Sequence, residues 1–365
     1  MVSLLNSTVQ ISDGTTFRCK GVARSLARNF KTILVSETPE SEGIYGLKGR
    51  VRIENTEIIE LHVGRRLPGW LFTLLRLIRD RKVDVIYCCN EWKHYPFLLL
   101  AARITSVRLI FEAHSILTEE QKHRVSVINY WRGKLTESLV MKESDRVVAL
   151  SDTIVQHYSA IAKMPLCLVP AFIELAKVSK PVEPRSSPER RRLGLIGPFY
   201  LPRNLLDLEF MAAQLGELDE RIAIIAVGTP PESFKESRIE FTGYIPDKEA
   251  FLDEIRSLDA VVIPSVEGTF GPLTKILEPM SLGVPVLTTP QGIVGFDSVV
   301  DGNNILVFPP DGLIKGINTT LFDDGLLKRV GESARATIVE WHSQEGAEKA
   351  LAHLVIDVTK DKGGS

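Results

Sequence analysis

The chain has 365 residues, enough for two domains at about 150 residues each. It is 44% hydrophobic and 25% charged, which excludes a disordered or fibrous chain. Lys+Arg number 44 and Asp+Glu 46, a net charge of −2, which argues against a dedicated nucleic-acid binder.

The opening residues, MVSLLNSTVQISDGTTF, carry neither a basic start nor a long apolar run, so they do not read as a secretory signal. Apolar stretches fall short of the ~20 residues that span a bilayer. Four cysteines do not make a disulfide scaffold, and Cys88 and Cys89, adjacent in an apolar run, read as buried thiols in a reducing compartment. No CxxC or His/Cys spacing suggests zinc.

Candidate strands in the first half are Val2 to Thr8, Thr32 to Ser36, Val83 to Cys89, Val107 to Glu112, Arg146 to Leu150 and Cys167 to Pro170. Helical patterns lie between them, over Phe17 to Asn29, over Trp70 to Arg81 with Leu71, Leu74, Leu75 and Ile78 on one face, and over Tyr95 to Ile104. Continuous apolar strands are buried on both faces, the pattern of a parallel sheet between helices. The stretch AKVSKPVEPRSSPERRR, residues 176–192, is polar, proline-rich and aperiodic. It reads as an interdomain hinge, with Arg190, Arg191 and Arg192 as solvated linker charge.

The alternation then restarts. Strands are expected at Leu193 to Gly197, Ile222 to Val227, Ile239 to Thr242, Ala260 to Pro264, Pro285 to Thr288 and Ile305 to Phe308. Helices are expected at Leu205 to Leu215, Lys248 to Ser257, Pro272 to Leu282 and Gly325 to Trp341, with a terminal helix over Ser343 to Val358. Two successive α/β units of this kind place ligands at the carboxyl ends of their strands, in a cleft between them.

Asp259 to Thr289 reads as strand, glycine-containing loop, helix, tight turn and strand. Gly268 and Gly271 flank Thr269 and Phe270 and let the backbone approach a ligand closely. Pro272 suits the first turn of a helix, whose free N–H groups then form an anion site. Lys275 in that first turn opposes the helix dipole unless an anion is near, and Glu278 follows three residues later on the same face. A cation for phosphate and a carboxylate for sugar hydroxyls suit a nucleotide. An ordinary βα unit with a surface Lys–Glu pair fits the same residues.

This segment resembles the donor-binding core of the group 1, family 4 retaining glycosyltransferases of the GT-B fold. The resemblance extends to IEFTGYIPDKEAFLDEIRSLDAVVIPS before it, GVPVLTTPQGIVGFDSVVDGNNILVFPPD after it and GLIGPFYLPRNLLDLEFMAAQL at the start of the second half. In the first half, LTESLVMKESDRVVALSDTIVQHY and the histidine-bearing FEAHS resemble the same family. It implies two Rossmann-like βαβ domains facing across a cleft, with the C-terminal helix crossing back to the first. The domains would be 1–175 on the acceptor side, a hinge at 176–192, a nucleotide-sugar donor domain at 193–342, and a terminal helix and tail at 343–365.

The resemblance also implies the activity: transfer of a sugar from a nucleotide-diphosphate sugar to a glycan, lipid-linked or small-molecule acceptor, with retention and with no cofactor required. His114, Lys275 and Arg203 are then placed at the reaction. Gly268, Thr269, Gly271, Glu278, Glu267 and Tyr244 are placed around the donor, and Asp13 and Gly14 in the acceptor and phosphate loop. There are departures from the family pattern. Eight residues before Glu278 stands Phe270 in place of the first of two glutamates; Glu267, eleven residues back with an apparent insertion between, either serves in its place or does not. Pro198 and Asn204 stand where two cations are usual, with Arg203 adjacent. These departures also fit a non-catalytic partner subunit, and the resemblance in fold alone also admits a nucleotide-sugar epimerase.

Other residues admit two readings. His114 ends an apolar strand, a ligand-facing place, but also suits a satisfied structural histidine. SDGTT, Ser12 to Thr16, is either a ligand loop or a plain turn with a helix cap. RRLPGWLFTLLRLIRDRK, Arg65 to Lys82, is either a core-packed helix with a basic outer face or a peripheral contact on an anionic membrane. His94, His123 and His157 read as structural. Trp92, Tyr130 and Trp131 either line an acceptor cleft or pack. No two aspartates are separated by a single intervening residue, so the metal-binding Asp-x-Asp of the other large glycosyltransferase fold is lacking, and no metal is expected. The location expected is cytoplasmic, with peripheral contact on the inner membrane face.

Overall fold

Strands apolar on both faces demand helices on both faces, and two sheets of this kind form. The computed structural model describes residues 2–6, 14–37, 47–53, 56–61, 67–122, 125–175, 190–232, 234, 236, 238–267 and 271–360. The chain divides into two compact units, Met1–Phe172 with Gln344–Ser365, and Ile173–Ser343.

In the first unit the strands are β1 (Val2–Asn6), β2 (Thr32–Glu37), β3 (Leu47–Ile53), β4 (Thr56–Leu61), β5 (Val85–Cys89), β6 (Arg108–Ala113), β7 (Arg146–Ala149) and β8 (Cys167–Leu168). Their order in the sheet is β3-β4-β2-β1-β5-β6-β7-β8, parallel except where β3 runs antiparallel to β4. Helices α1 (Gly14–Ala27), α2 (Leu67–Arg81), α3 (Tyr95–Thr105), α4 (Leu117–Gln121), α5 (Val127–Glu143) and α6 (Asp152–Ser159) connect them. All five residues of β5 are buried, as a central parallel strand requires. The β3–β4 pair lies outside the expected strands. Its register sets Lys48 opposite Glu60 and Arg52 opposite Glu57.

The second unit holds β9 (Arg191–Ile196), α7 (Pro202–Ala213), β10 (Ile222–Val227), β11 (Ile239–Phe241), α8 (Lys248–Arg256), β12 (Ala260–Ile263), α9 (Leu277–Ser281), β13 (Val286–Thr288), β14 (Leu306–Val307), α10 (Leu313–Thr320) and α11 (Asp324–Trp341). Its sheet is wholly parallel, in the order β11-β10-β9-β12-β13-β14. Leu193, Leu195, Ile224, Val262 and Leu287 from the strands meet Leu208, Met211, Leu313, Ile317 and Val330 from the helices in one core. The sequence LIKGINTT of α10 is a poor helix former, and burial of Leu313, Ile314 and Ile317 overrides its propensity.

The chain closes with α12 (Gln344–Lys360), which returns to the first unit and packs on α1. Leu351, Leu354, Val355 and Val358 lie with Cys19, Val22 and Leu26 in the first unit's core, and Arg28 pairs with Glu348 at 2.8 Å.

Two expectations are corrected here. Arg191 and Arg192 are not solvated linker charge; they open β9, two residues before the expected strand start. Arg191 is buried, and its guanidinium reaches Asp259 at 3.3 Å and Asp324 at 2.7 Å. Arg192 pairs with Glu254 at 2.8 Å. A central strand that begins with arginines needs carboxylates at its amino end, and the residue before β12 and the start of α11 supply two of them. The helix expected over Pro272 to Leu282 is also divided. A 3₁₀ turn covers Thr274–Ile276, and α9 covers only Leu277–Ser281. Pro279 has no N–H to donate to the carbonyl of Lys275, so the first turn tightens instead of continuing as α-helix.

The thiols of Cys19, Cys88 and Cys89 are free and buried. Among the described residues, no helix is long and apolar enough to cross a membrane.

Candidate functional site

In a parallel sheet ligands collect where neighbouring strands lead the chain in opposite directions, at their carboxyl ends. In the second sheet that point lies between β9 and β12. From β9 the chain proceeds outward through β10 and β11, and from β12 through β13 and β14. The residues after β9 and after β12 therefore form the candidate site of this unit.

Close backbone approach shapes its floor. A Cβ on Gly228, just past β10, would sit 2.1 Å from the carbonyl oxygen of Gly197, just past β9. No side chain fits there. Ser265, two residues past β12, has φ +44°, a left-handed conformation that costs a non-glycine residue about 1 kcal/mol or more. Its Oγ donates to the carbonyl of Glu267 at 3.4 Å, and its own carbonyl accepts from Thr289 Oγ1 at 3.3 Å. Gly295 has φ +84°, and a Cβ there would lie 3.0 Å from the nitrogen of Pro272. The loop after β12 is thus held to the strand ends on two sides.

Lys275 stands in the 3₁₀ turn. Its Nζ donates to Asp207 Oδ2 at 2.7 Å and to Asn204 Oδ1 at 3.2 Å, both on α7. Asn204 donates in turn to the carbonyl of Pro198 at 3.2 Å, and Asp207 Oδ1 accepts from the backbone N–H of Val266 at 3.4 Å. Asp207 is buried. An ammonium has three N–H donors, and among the described residues two are taken, which leaves one for a ligand. Burial pulls the Lys275 pKa below the usual lysine range; Asp207 opposes that shift and the nearby Arg203 adds to it. Arg203 precedes Asn204 in the first turn of α7, and no ion pair engages it among the described residues.

Glu278, the first acidic residue of α9, is half-buried. Its carboxylate has no hydrogen-bond partner among the described residues. Burial pushes its pKa up, and the charge of Lys248 on α8 holds it back. A carboxylate that loses water without gaining a donor is costly unless a ligand supplies one.

Gly271 is at a bend beside Pro272. Glu267 is half-buried, and Tyr244 stands exposed after β11. Gly268 and Thr269, like Asp13, lie outside the described residues. Gly14 is the first residue of α1.

In the first sheet the chain turns outward in opposite directions from β1 and β5. Asn90 follows β5 with φ +52°, and its Oδ1 accepts from Trp92 Nε1 at 3.0 Å and from the backbone N–H of His114 at 3.2 Å. His114 follows β6. Its Nε2 lies 2.7 Å from Glu112 Oε1. Glu112, fully buried on β6, also accepts from Arg18 Nε at 3.1 Å, Arg18 Nη2 at 2.9 Å and the Tyr87 hydroxyl at 2.6 Å. Arg18 reaches on to the carbonyls of Pro170 at 2.8 Å and Val169 at 3.1 Å, and lies over the Phe172 ring. Burial alone would raise the Glu112 pKa, but the Arg18 and His114 contacts hold it well below the usual carboxylate range. Burial lowers the His114 pKa, and the hydrogen bonds the ring makes to Cys89 and Glu112 outweigh it, so the net direction is up.

The sequence reading missed Arg18, Tyr87, Asn90 and Glu112 as parts of this network, and Asp207 as the partner of Lys275. One signal was present. An acid inside the apolar run LIFEA needs a buried cation. Trp92 is packed, 4.5 Å from the Phe111 ring, whereas Trp131 is exposed on α5. His94 is buried beside Glu91, with 3.2 Å between Nδ1 and Oε1, and His157 stacks edge-on with Tyr158; His123 lies outside the described residues.

Comparison with known proteins agrees with these two units. A family model described as "Glycosyltransferase Family 4" matches residues 13–177, and one described as "Glycosyl transferases group 1" matches residues 190–323. No curated protein sequence matches the chain. Among solved structures, sucrose-phosphate synthase from Thermosynechococcus elongatus superposes with a TM-score of 0.79 at 15% identity, covering 99% of each chain. HepE of Anabaena, solved with UDP-glucose, gives 0.72 at 13% identity over 98% of this chain and 99% of its own. WaaG, a glycosyltransferase involved in lipopolysaccharide biosynthesis, gives 0.69 at 13% identity over 96% of this chain and 99% of its own. At these identities the likeness establishes the GT-B fold.

Proposed function

From a chain that belongs to the group 1, family 4 glycosyltransferases, we propose an enzyme that transfers a sugar with retention from a nucleoside-diphosphate sugar to a hydroxyl of a glycan, lipid-linked or small-molecule acceptor. The observation that carries the site assignment is the buried Lys275–Asp207 pair, which leaves one ammonium donor open beside Arg203.

Transfer breaks the bond between the anomeric carbon and the diphosphate oxygen, and the electron pair leaves with the diphosphate. The acceptor oxygen bonds to that carbon, and its proton passes to the departing diphosphate. Negative charge grows on the diphosphate as the bond breaks, so a cation fixed there stabilises the transition state more than the bound donor. Lys275 is fixed by Asp207 and Asn204 before any ligand arrives, so little reorganisation is needed. Arg203 adds the second positive charge. Glu278 accepts hydrogen bonds from ribose hydroxyls, which satisfies the carboxylate left without a donor. Gly268, Thr269 and Gly271 line the phosphates with backbone N–H groups, and Glu267 and Tyr244 border the donor. In the first unit His114, held by Glu112 and Asn90, seats the transferred sugar, with Asp13 and Gly14 beside phosphate and acceptor.

HepE was solved with UDP-glucose, so uridine nucleotides are the first to test. In a melting panel of UDP, GDP, ADP and their sugars, the cognate nucleotide at ~100 times its Kd adds about 2.7 kcal/mol of stability. Turnover is then read with that donor, with and without acceptors. Release of nucleotide that depends on an acceptor supports transfer. Conversion of donor alone to a second sugar nucleotide would show an epimerase instead. No stabilisation by any nucleotide would overturn the assignment.

A further inference from the structure

A surface helix normally buries one apolar stripe and solvates the rest. Helix α5 departs from this. Gly133, Glu137, Val140 and Met141 form its buried side. The opposite side carries Val127, Ile128, Trp131 and Leu135, which are 73%, 74%, 56% and 69% exposed. Their spacing of one, four and eight residues from Val127 puts them on a single face. Nothing in the described structure rests on that face.

Charge around the strip is one-sided. Arg132 and Lys134 are exposed on its two flanks, Lys142 is exposed further along, and the Lys134 ammonium lies 5.3 Å from the Trp131 ring centroid. The acids of the helix are engaged elsewhere. Glu137 is buried and accepts from the N–H of Thr118, and Glu143 pairs with Arg103 of α3. A tryptophan with aliphatic neighbours between cations is the composition of a helix lying in a membrane interface, with apolar side chains below the headgroups and cations among the phosphates. Helix α3, packed beside α5, exposes Leu100 and Ile104 as well. A second copy of the same face would set these cations against one another with no free acid of α5 to answer them. Helix α2, within the stretch first considered for this role, buries Leu74, Leu77 and Ile78 and exposes Arg76 and Arg79; among its described residues Phe72 alone is an exposed large apolar side chain, so it carries no apolar strip.

We propose that the exposed face of α5, through Val127, Ile128, Trp131 and Leu135 flanked by Arg132 and Lys134, docks the protein on an anionic lipid bilayer. The contact is peripheral: the apolar strip inserts at the level of the acyl boundary, and the cations neutralise headgroup phosphates.

The test is sedimentation of the full chain with vesicles of phosphatidylcholine alone, and with about one third phosphatidylglycerol. Binding is expected to the anionic vesicles and to weaken with salt. Arg132→Gln with Lys134→Gln is expected to weaken it about twenty-five-fold, at about fivefold per cation. Trp131→Ser with Leu135→Ser is expected to abolish sedimentation while the protein still melts cooperatively close to the wild-type temperature, since both side chains are more than half exposed. No sedimentation with anionic vesicles would overturn the proposal. So would sedimentation that both double variants leave intact. A concentration-dependent dimer dissolved by Trp131→Ser with Leu135→Ser, without vesicle binding, would overturn it in favour of self-association. Because vesicle binding is read without turnover, it is independent of the sugar-transfer reaction.

Discussion

Asp207→Asn perturbs the site at its anchor. It removes the carboxylate from Lys275 and leaves a near-isosteric amide that still accepts one hydrogen bond. The Asp207 side chain is 1% exposed and that of Lys275 18%. Breaking a fully buried ion pair costs about 3–5 kcal/mol, because the remaining charge loses its partner without regaining water. Lys275 keeps some solvent access, which lowers the expected loss to about 2–3 kcal/mol. For a unit of this size that corresponds to a fall of about 5–10 °C in melting temperature. The assay is thermal unfolding of the wild type, Asp207→Asn, Lys275→Met and the double variant. The double variant, with neither charge to bury, should recover part of the loss, with a coupling of about 1–2 kcal/mol across the cycle. A melting temperature within about 1 °C of wild type in Asp207→Asn would refute the pair, and with it the fixed orientation of the ammonium.

Glu278→Gln should raise the donor KM with little change in kcat if the carboxylate serves ribose binding alone. Because burial raises the pKa of Glu278, wild-type donor affinity should fall as pH drops through that raised value, and Glu278→Gln should flatten the dependence. His114 has a raised folded pKa, so its pairing with Glu112 contributes stability below the unfolded histidine value, and that contribution is lost as pH rises through the folded one. Melting curves over pH 5 to 9 should therefore show an alkaline decline that is smaller in His114→Gln. Leu351→Ala, at a fully buried position of α12, should destabilise the first unit by about 3 kcal/mol, read as an earlier transition in denaturant. An unchanged transition would mean that the return of α12 contributes nothing.

Much of the architecture was legible because parallel strands announce themselves. Ile222 to Val227 is uniformly apolar, and it forms β10 with those bounds. The β3–β4 pair was not legible, because LKGRVRI and TEIIEL lack the continuous apolar run that marked the other strands. The expected helix from Pro272 is divided after Ile276, because the donor missing at Pro279 leaves the carbonyl of Lys275 without its helical partner. Arg191 and Arg192 looked like linker because a string of arginines is normally solvated, and only the fold brings Asp259, Asp324 and Glu254 to them.

At the site, Lys275 and Glu278 were legible from their spacing beside a glycine-containing turn. Their environment was not. Asp207 precedes Lys275 by 68 residues, and Arg18 precedes Glu112 by 94. Such partners are set by which strands adjoin, and local pattern carries no record of that. Asn204 shows the limit well: read as a missing cation, it is one of the two groups that hold Lys275 in place.

The most direct measurement is turnover of Lys275→Ala at saturating donor and acceptor, with folding checked by its circular dichroism and melting curve. A fall of roughly a hundredfold or more is expected, on the scale of losing one fixed donor to a charge that develops during bond breaking. Undiminished turnover in a folded Lys275→Ala variant would show that the leaving diphosphate is stabilised elsewhere.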